Sequence, residues 1–122
     1  MGLSGFVLRE QSFEPTFHKW AGRTCHGFQI HVIDGVLYQP YLTSLSLLSA
    51  LLRLYPEEVA WRDPPYEYEF ERQPIDLILG DRRVRAAVEA GAAPAEFEDL
   101  WADDLASFCA QRASDLLYPE DS

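Results

Sequence analysis

Twenty consecutive residues near the amino terminus, Phe13 to Val32, hold most of the chemically versatile side chains of this 122-residue chain. The stretch reads FEPTFHKWAGRTCHGFQIHV and contains the only lysine, all three histidines and one of the two cysteines. Such side chains can supply a general base, a nucleophile, metal ligands or a cation for an anionic ligand. We therefore expect any functional site to lie in this segment.

Metal binding and nucleophilic catalysis are both weak interpretations of the segment. His18, Cys25, His26 and His31 are ligand types for zinc, but their spacing matches no closed structural zinc site. The adjacent residues Cys25 and His26 would also point in opposite directions on an extended chain. No third group can be identified that would orient a histidine beside Cys25, so a buried free cysteine is the simpler interpretation. We expect no metal, no cofactor and no catalytic residue.

A ligand-recognition surface is the interpretation that these residues favour. The alternation in GFQIHVI predicts a strand with one packed, apolar face and with Gln29 and His31 on the opposite face. Thr16 and Lys19 lie on the connection that leads into this strand. Lysine can act as a point charge for a carboxylate, and the other three side chains can form hydrogen bonds with hydroxyl or amide groups. The residues thus predict a substrate-binding surface, and an ordinary exposed sheet face is the alternative.

Composition limits the classes of partner. Twenty acidic residues stand against ten basic ones, a formal charge of −10. This charge repels phosphate backbones and anionic lipid, so we expect neither a nucleic acid nor a membrane partner. No apolar run approaches the roughly 18 residues that span a bilayer, and the first residues lack the pattern of a signal peptide. Cys25 and Cys109 permit one disulfide without requiring it.

The secondary structure predicted around these side chains indicates a small α+β domain covering residues 1–122. We expect a small antiparallel sheet with about three helices packed on one of its faces. Turn residues, prolines and hydrophobic periodicity set the expected bounds. The predicted elements are strands at Gly5–Arg9 and Gly27–Ile33, a hairpin return at Val36–Tyr38, an edge strand at Tyr66–Phe70, and helices at about Thr43–Tyr55, from an Asp81 N-cap to Ala90, and from Pro94 onward.

Four ordered segments of the sequence resemble the C-terminal domain of the exo-β-N-acetylmuramidase family of bacterial peptidoglycan glycosidases. Together they cover nearly the whole chain, which makes the resemblance more specific than any one of them would be. The segments are the run from Phe13 to Val32, LLRLYPEE, IDLILGDRRVRAAVEAG, and a closing W-x6-F-x3-R-x3-LLY pattern from Trp101 to Tyr118.

The resemblance implies a bacterial protein that acts in the context of the cell wall. Enzymes of this family remove N-acetylmuramic acid from the non-reducing end of peptidoglycan fragments, and their catalytic glutamate belongs to an N-terminal Rossmann-like domain. The expected partners are therefore that catalytic domain and a muramic-acid-containing saccharide. The chain itself would be an accessory domain that lines the substrate cleft and is inactive alone. From its residue type, we expect Lys19 to lie nearest the lactyl carboxylate of the muramic acid.

A self-standing protein-interaction module of the same fold is the alternative, and a small independent hydrolase that uses Cys25 or a glutamate is a weaker third interpretation. A domain separated from its neighbour should expose an apolar patch formed by Phe13, Phe17 or Trp20 and should self-associate through it. The sequence leaves open whether the parent protein is cytoplasmic or exported.

Overall fold

The computed structural model describes residues 2–118, and in this range the chain forms two strands and four helices, which confirms the α+β class. Residues 2–40 form one compact unit with the strands, and the residues from Tyr41 onward form a second unit with the helices. The packing of helices on the sheet and the single domain over residues 1–122 stay predictions, and Met1 and residues 119–122 lie outside the described range. The elements are β1 Phe6–Phe13, β2 Cys25–Val32, α1 Pro40–Leu54, α2 Pro74–Leu79, α3 Arg82–Ala90 and α4 Pro94–Arg112.

The strand unit is a two-stranded antiparallel ribbon. Its register pairs Phe6 with Val32 at one end and Phe13 with Cys25 at the other. β1 is thus longer than the predicted strand, which ended at Arg9, because polar residues can continue a ribbon whose faces both reach solvent. The apolar face of β2 presents three exposed side chains, and the packing predicted for this face stays a prediction: Phe28, Ile30 and Val32.

The predicted hairpin after β2 is wrong, because β2 pairs with β1 and no strand forms at Val36–Tyr38. Asp34 instead closes a local turn, in which its Oδ1 accepts hydrogen bonds from the backbone N–H groups of Val36 and Leu37 at 2.9 and 3.2 Å. The carbonyl of Gly5 accepts from the N–H groups of Ile33 and Asp34. Asp-Gly favours a turn in either arrangement, and here the Asp34 carboxylate closes a local turn instead of one that joins two strands.

The helical unit has its core where α1, α3 and α4 contribute apolar side chains. Val84 and Val88 of α3 are buried. Asp81 caps this helix by accepting the backbone N–H of Arg83 at 2.7 Å, and Gly91 ends it in the left-handed conformation, so both predicted boundaries are confirmed. The buried apolar residues of the described chain are Leu42, Leu45, Val84, Val88 and Phe97.

Two local predictions in the helical unit need correction. The predicted edge strand at Tyr66–Phe70 is a tight turn closed by a single bridge between Tyr66 and Glu69. The short helix α2 was not predicted, because six residues are too few for a hydrophobic period to show. It is fixed to α3 by the buried carboxylate of Asp76, which accepts a hydrogen bond from Arg85 Nε at 2.6 Å.

Candidate functional site

The connection between β1 and β2, residues 14–24, is a compact loop that presents its side chains to solvent. The backbone N–H of Gly22 donates to the carbonyl of Pro15 at 3.1 Å, and that of Arg23 donates to the carbonyl of Trp20 at 3.0 Å. His18 and Trp20 both adopt positive φ angles, 61° and 66°. Residues other than glycine rarely adopt a positive φ unless the surrounding structure holds the backbone there, and such residues are concentrated at ligand-binding sites.

The loop combines cations with exposed aromatic rings. The Arg23 guanidinium carbon lies 5.6 Å from the centroid of the Trp20 ring, which is 61% exposed. Among residues 2–118 no ion pair involves Lys19 or Arg23. A shallow cavity of about 540 Å³ is lined by both cations together with His18, Trp20 and Ala21. An exposed ring beside unpaired positive charge is suited to a ligand with an apolar face and an anionic group.

The two units differ sharply in charge. Residues 2–40 contain three basic and three acidic residues and are therefore neutral at pH 7. The residues from Tyr41 onward contain seven arginines and seventeen acidic residues, so this part carries the whole formal charge of −10. An anionic ligand is thus repelled least by the strand unit, where Lys19 and Arg23 lie.

The structure places the four predicted site residues in two groups. Thr16 and Lys19 are exposed in the β1–β2 connection, whereas Gln29 and His31 share one face of β2. In the ribbon register Gln29 lies opposite Arg9, and His31 lies opposite Val7, near the end of the ribbon away from the connection. Along β2, Gln29 lies about 13 Å and His31 about 20 Å from Cys25. Within residues 2–118 no hydrogen bond or ion pair joins the two groups.

His31 differs from the other three candidates in burial. Its side chain is half-buried, and its Nε2 is shielded from solvent without a hydrogen-bond partner in the described residues. The predicted contact between His31 and a substrate stays a prediction.

A second polar surface, which sequence reasoning missed, lies on the other face of the ribbon at the end next to the connection. Ser12 Oγ and His26 Nδ1 are hydrogen-bonded at 2.9 Å across the two strands. The pair borders a cleft of about 460 Å³ whose other walls include Glu10 and Phe28. The pairing of Ser12 with His26 could not be read from the sequence, because β1 was predicted to end three residues before Ser12.

The helical unit has a groove of its own, of about 500 Å³, beside the aromatic pair Tyr41 and Trp101. Arg83 bonds both Asp81 and Asp104 at its rim, and this contact holds the pKa of the Asp81 carboxyl below its usual range. Burial, with the nearby charge of Asp81, raises the pKa of the Tyr41 hydroxyl. Since every charge at this rim is already paired, the groove offers less for an ionic ligand than the loop does.

The cysteines and the metal-ligand types can also be placed. Cys25 and Cys109 are both free thiols, and the Cys25 thiol donates to the carbonyl of Arg23 at 3.7 Å. In the described range no group of three or more histidine, cysteine or carboxylate side chains could hold a metal ion. Within residues 2–118 no helix has both the length and the apolar composition needed to cross a bilayer.

Comparison with known proteins gives one family and one curated relative. The family model described as "Exo-beta-N-acetylmuramidase NamZ, C-terminal" matches residues 1–118. A Bacillus subtilis (strain 168) protein named "Peptidoglycan beta-N-acetylmuramidase NamZ" is 30% identical over 117 residues, which cover 95% of this chain and 26% of the relative. The chain therefore spans about a quarter of that relative's length. No solved structure gives a significant match.

Proposed function

Because this chain belongs to the family of C-terminal domains of exo-β-N-acetylmuramidases, we propose that it is the accessory domain of such an enzyme acting on peptidoglycan fragments. In this function the domain lines the substrate cleft, and the bond is broken by groups of an N-terminal catalytic domain in the parent protein. Glycoside hydrolysis needs a pair of carboxyl groups held on either side of the scissile bond. The three quarters of the Bacillus relative that lie outside the matched region leave ample length for that catalytic domain.

The unpaired cations of the β1–β2 connection support a role in substrate contact. N-acetylmuramic acid carries a lactyl carboxylate, hydroxyl groups and an amide, so its recognition requires a cation beside hydrogen-bonding groups. Lys19 is the only lysine of a chain with a charge of −10, and it lies in the neutral unit beside Arg23 and the exposed Trp20. This placement is the observation that carries the proposal. Thr16, Gln29 and His31 complete the proposed set of substrate contacts.

The test is the Lys19→Met substitution in the full-length parent enzyme. Loss of one solvent-exposed charge contact to the carboxylate should raise the KM for muramic-acid glycosides by about tenfold, with kcat changed by less than about twofold. Lys19→Arg should keep most of the affinity because it retains the charge. Arg62→Met, an exposed substitution in the helical unit, is the matched control and should leave KM unchanged. An unchanged KM for Lys19→Met would remove this residue from the site.

A self-standing interaction module is the second candidate, and the exposure of Phe17 and Trp20 favours it. Hydrolysis of muramic-acid glycosides by the full-length parent, measured with and without residues 1–122, separates the candidates, because only a domain that lines the cleft changes the KM when it is removed. The isolated 122-residue chain is assayed in parallel. The accessory-domain proposal expects activity only in the presence of the catalytic domain. Cleavage by the isolated chain would contradict it.

A further inference from the structure

From the cleft between Glu10, Ser12, His26 and Phe28 we infer a second binding site, which takes an uncharged pyranose with hydroxyl and acetamide groups. This inference rests on the proposed function, because it assigns the uncharged sugar that neighbours the muramic acid in the same saccharide. The cleft measures about 460 Å³, within the rough range of 300–1,000 Å³ that small-molecule sites occupy.

Phe28 supplies the apolar wall of this cleft. Its ring is 64% exposed, although it lies in the middle of a strand rather than in a flexible loop. A strand position holds the ring in place before the ligand arrives, which lowers the entropic cost of binding. A pyranose has an apolar face of C–H groups, and an exposed aromatic ring beside polar groups is the usual surface on which such a face packs.

The Ser12–His26 pair supplies an oriented hydrogen-bonding group. Since the pair joins Ser12 Oγ to Nδ1 of the imidazole, the second ring nitrogen, Nε2, is left for a ligand. The cross-strand hydrogen bond also restrains the rotation of the imidazole. Whichever tautomer is present, Nε2 can form one hydrogen bond with a hydroxyl or an amide, since it donates in one tautomer and accepts in the other.

Glu10 determines which charge the ligand can carry. It lies on the same face as Ser12, two residues earlier in β1 and opposite Phe28, and no ion pair in the described range neutralises it. A carboxylate accepts hydrogen bonds from neighbouring hydroxyl groups but repels another carboxylate. The cleft therefore favours an uncharged sugar, whereas the cationic connection favours the sugar that carries the lactyl carboxylate.

The position of the cleft fits one extended saccharide. The pair Ser12 and His26 lies one residue pair from Phe13 and Cys25, the last pair before the connection that carries Lys19. The ribbon thus has an anionic site for an uncharged ring directly beside a cationic loop. An alternating saccharide has the same order of uncharged and anionic rings.

The experiment is a titration of the isotope-labelled 122-residue chain with N,N′-diacetylchitobiose, followed by amide chemical shifts. We expect saturable shifts at residues 10–12 and 26–28 with a dissociation constant in the millimolar range, about −4 kcal/mol. Free N-acetylmuramic acid, which is anionic, should shift these amides less at equal concentration. Absence of saturable shifts at these residues would overturn the inference.

Variants make the test specific to the cleft. Phe28→Ala should weaken chitobiose binding by about fivefold or more, and Phe28→Tyr, which keeps the ring, should bind within about twofold of the unmodified chain. Phe70→Ala removes a similarly exposed ring from the helical unit and is the matched control. Equal binding by Phe28→Ala and by the unmodified chain would overturn the inference, and Phe28→Tyr keeps the test valid if Phe28→Ala disturbs the ribbon.

Glu10→Gln tests the charge argument separately. Removing this negative charge should strengthen binding of N-acetylmuramic acid at residues 10–12 and 26–28 by about fivefold, and should change chitobiose binding little.

Failure of this inference differs from failure of the proposed function. A flat chitobiose titration together with a raised KM for Lys19→Met would refute the cleft alone, and saturable chitobiose binding with an unchanged KM would refute the Lys19 contact alone.

Discussion

Charged side chains have two different roles in this chain. In the helical unit some of them form ion pairs: Arg85 contacts both Asp76 and Glu89, and the hydrogen bonds to these carboxylates raise the pKa of its guanidinium. In the β1–β2 connection Lys19 and Arg23 face solvent without an ion pair in the described range. Paired charges hold elements together, whereas an unpaired cation keeps its attraction for a ligand.

The Arg85–Asp76 contact should be the most consequential ion pair for stability. The Asp76 side chain is only 7% exposed, so Arg85→Met leaves a buried carboxylate whose nearest other cation is Arg82 at 3.8 Å. We expect the free energy of unfolding to fall by about 2–3 kcal/mol, at or just below the range for broken buried pairs because Arg85 is partly exposed. Urea denaturation followed by far-UV circular dichroism measures the change.

The exposed Arg62→Met substitution is the control for that measurement. It removes the same charge from the same unit, and we expect a change within about 0.5 kcal/mol. If Arg85→Met cost no more than Arg62→Met, the Asp76 contact would not stabilise the α2–α3 junction.

At the scale of elements, local sequence signals predicted three of the four helices but did not predict which two strands pair. The helix α3 was predicted within a residue at both ends because Asp81 and Gly91 cap it through neighbouring backbone groups. Pro94 likewise marks the start of α4. The pairing of β1 with β2 depends on contacts between residues up to 26 positions apart, such as Phe6 and Val32. No local pattern encodes which strand is the partner.

The turn that replaces the predicted hairpin depends on Gly5. This residue has a φ of 81°, and a Cβ atom added to it would lie 2.5 Å from the backbone N of Tyr38 and 2.6 Å from the backbone O of Asp34. Gly5→Ala therefore requires a backbone shift as well as a strained φ, and we expect the ribbon to be destabilised by at least about 2 kcal/mol. Amide hydrogen exchange of β1 and β2 measures this.

Gly35→Ala is the matched control in the same turn. A Cβ atom at this position meets nothing within 4 Å, and its φ is not in the left-handed region. We expect hydrogen exchange in the ribbon to be unchanged or slightly slower, because alanine restricts the unfolded chain. Equal effects of Gly5→Ala and Gly35→Ala would contradict the close approach between the turn and Gly5.

At the scale of the whole molecule, the chain combines exposed aromatic side chains with an uneven distribution of charge. Phe17 and Trp20 are 71% and 61% exposed, and Phe13 at the end of β1 is exposed as well. These are the residues for which the sequence predicts an apolar patch. Self-association through this patch stays a prediction, and so does its contact with an N-terminal catalytic domain.

We expect the 122-residue chain to self-associate at concentrations of about 100 μM, with sedimentation coefficients that rise with concentration. Replacing both Phe17 and Trp20 by serine should abolish this dependence, because these are the large apolar side chains that the loop exposes, at 71% and 61%. Tyr68→Ser, at a ring that is 95% exposed in the helical unit, is the control and should leave it unchanged. A chain that stays monomeric across the whole concentration range would contradict the prediction.

The sequence alone was enough to predict the class of the fold, three of the four helices and the family. These features depend on signals between near neighbours, such as helical periodicity and caps, or on ordered motifs. Only the tertiary structure decided that β1 reaches Phe13, that Ser12 meets His26, and that Gln29 and His31 lie on β2 apart from the connection that carries Lys19. The physical reason is that strand register is set by cross-strand hydrogen bonds between distant residues, and a shift of one residue moves every side chain to the opposite face.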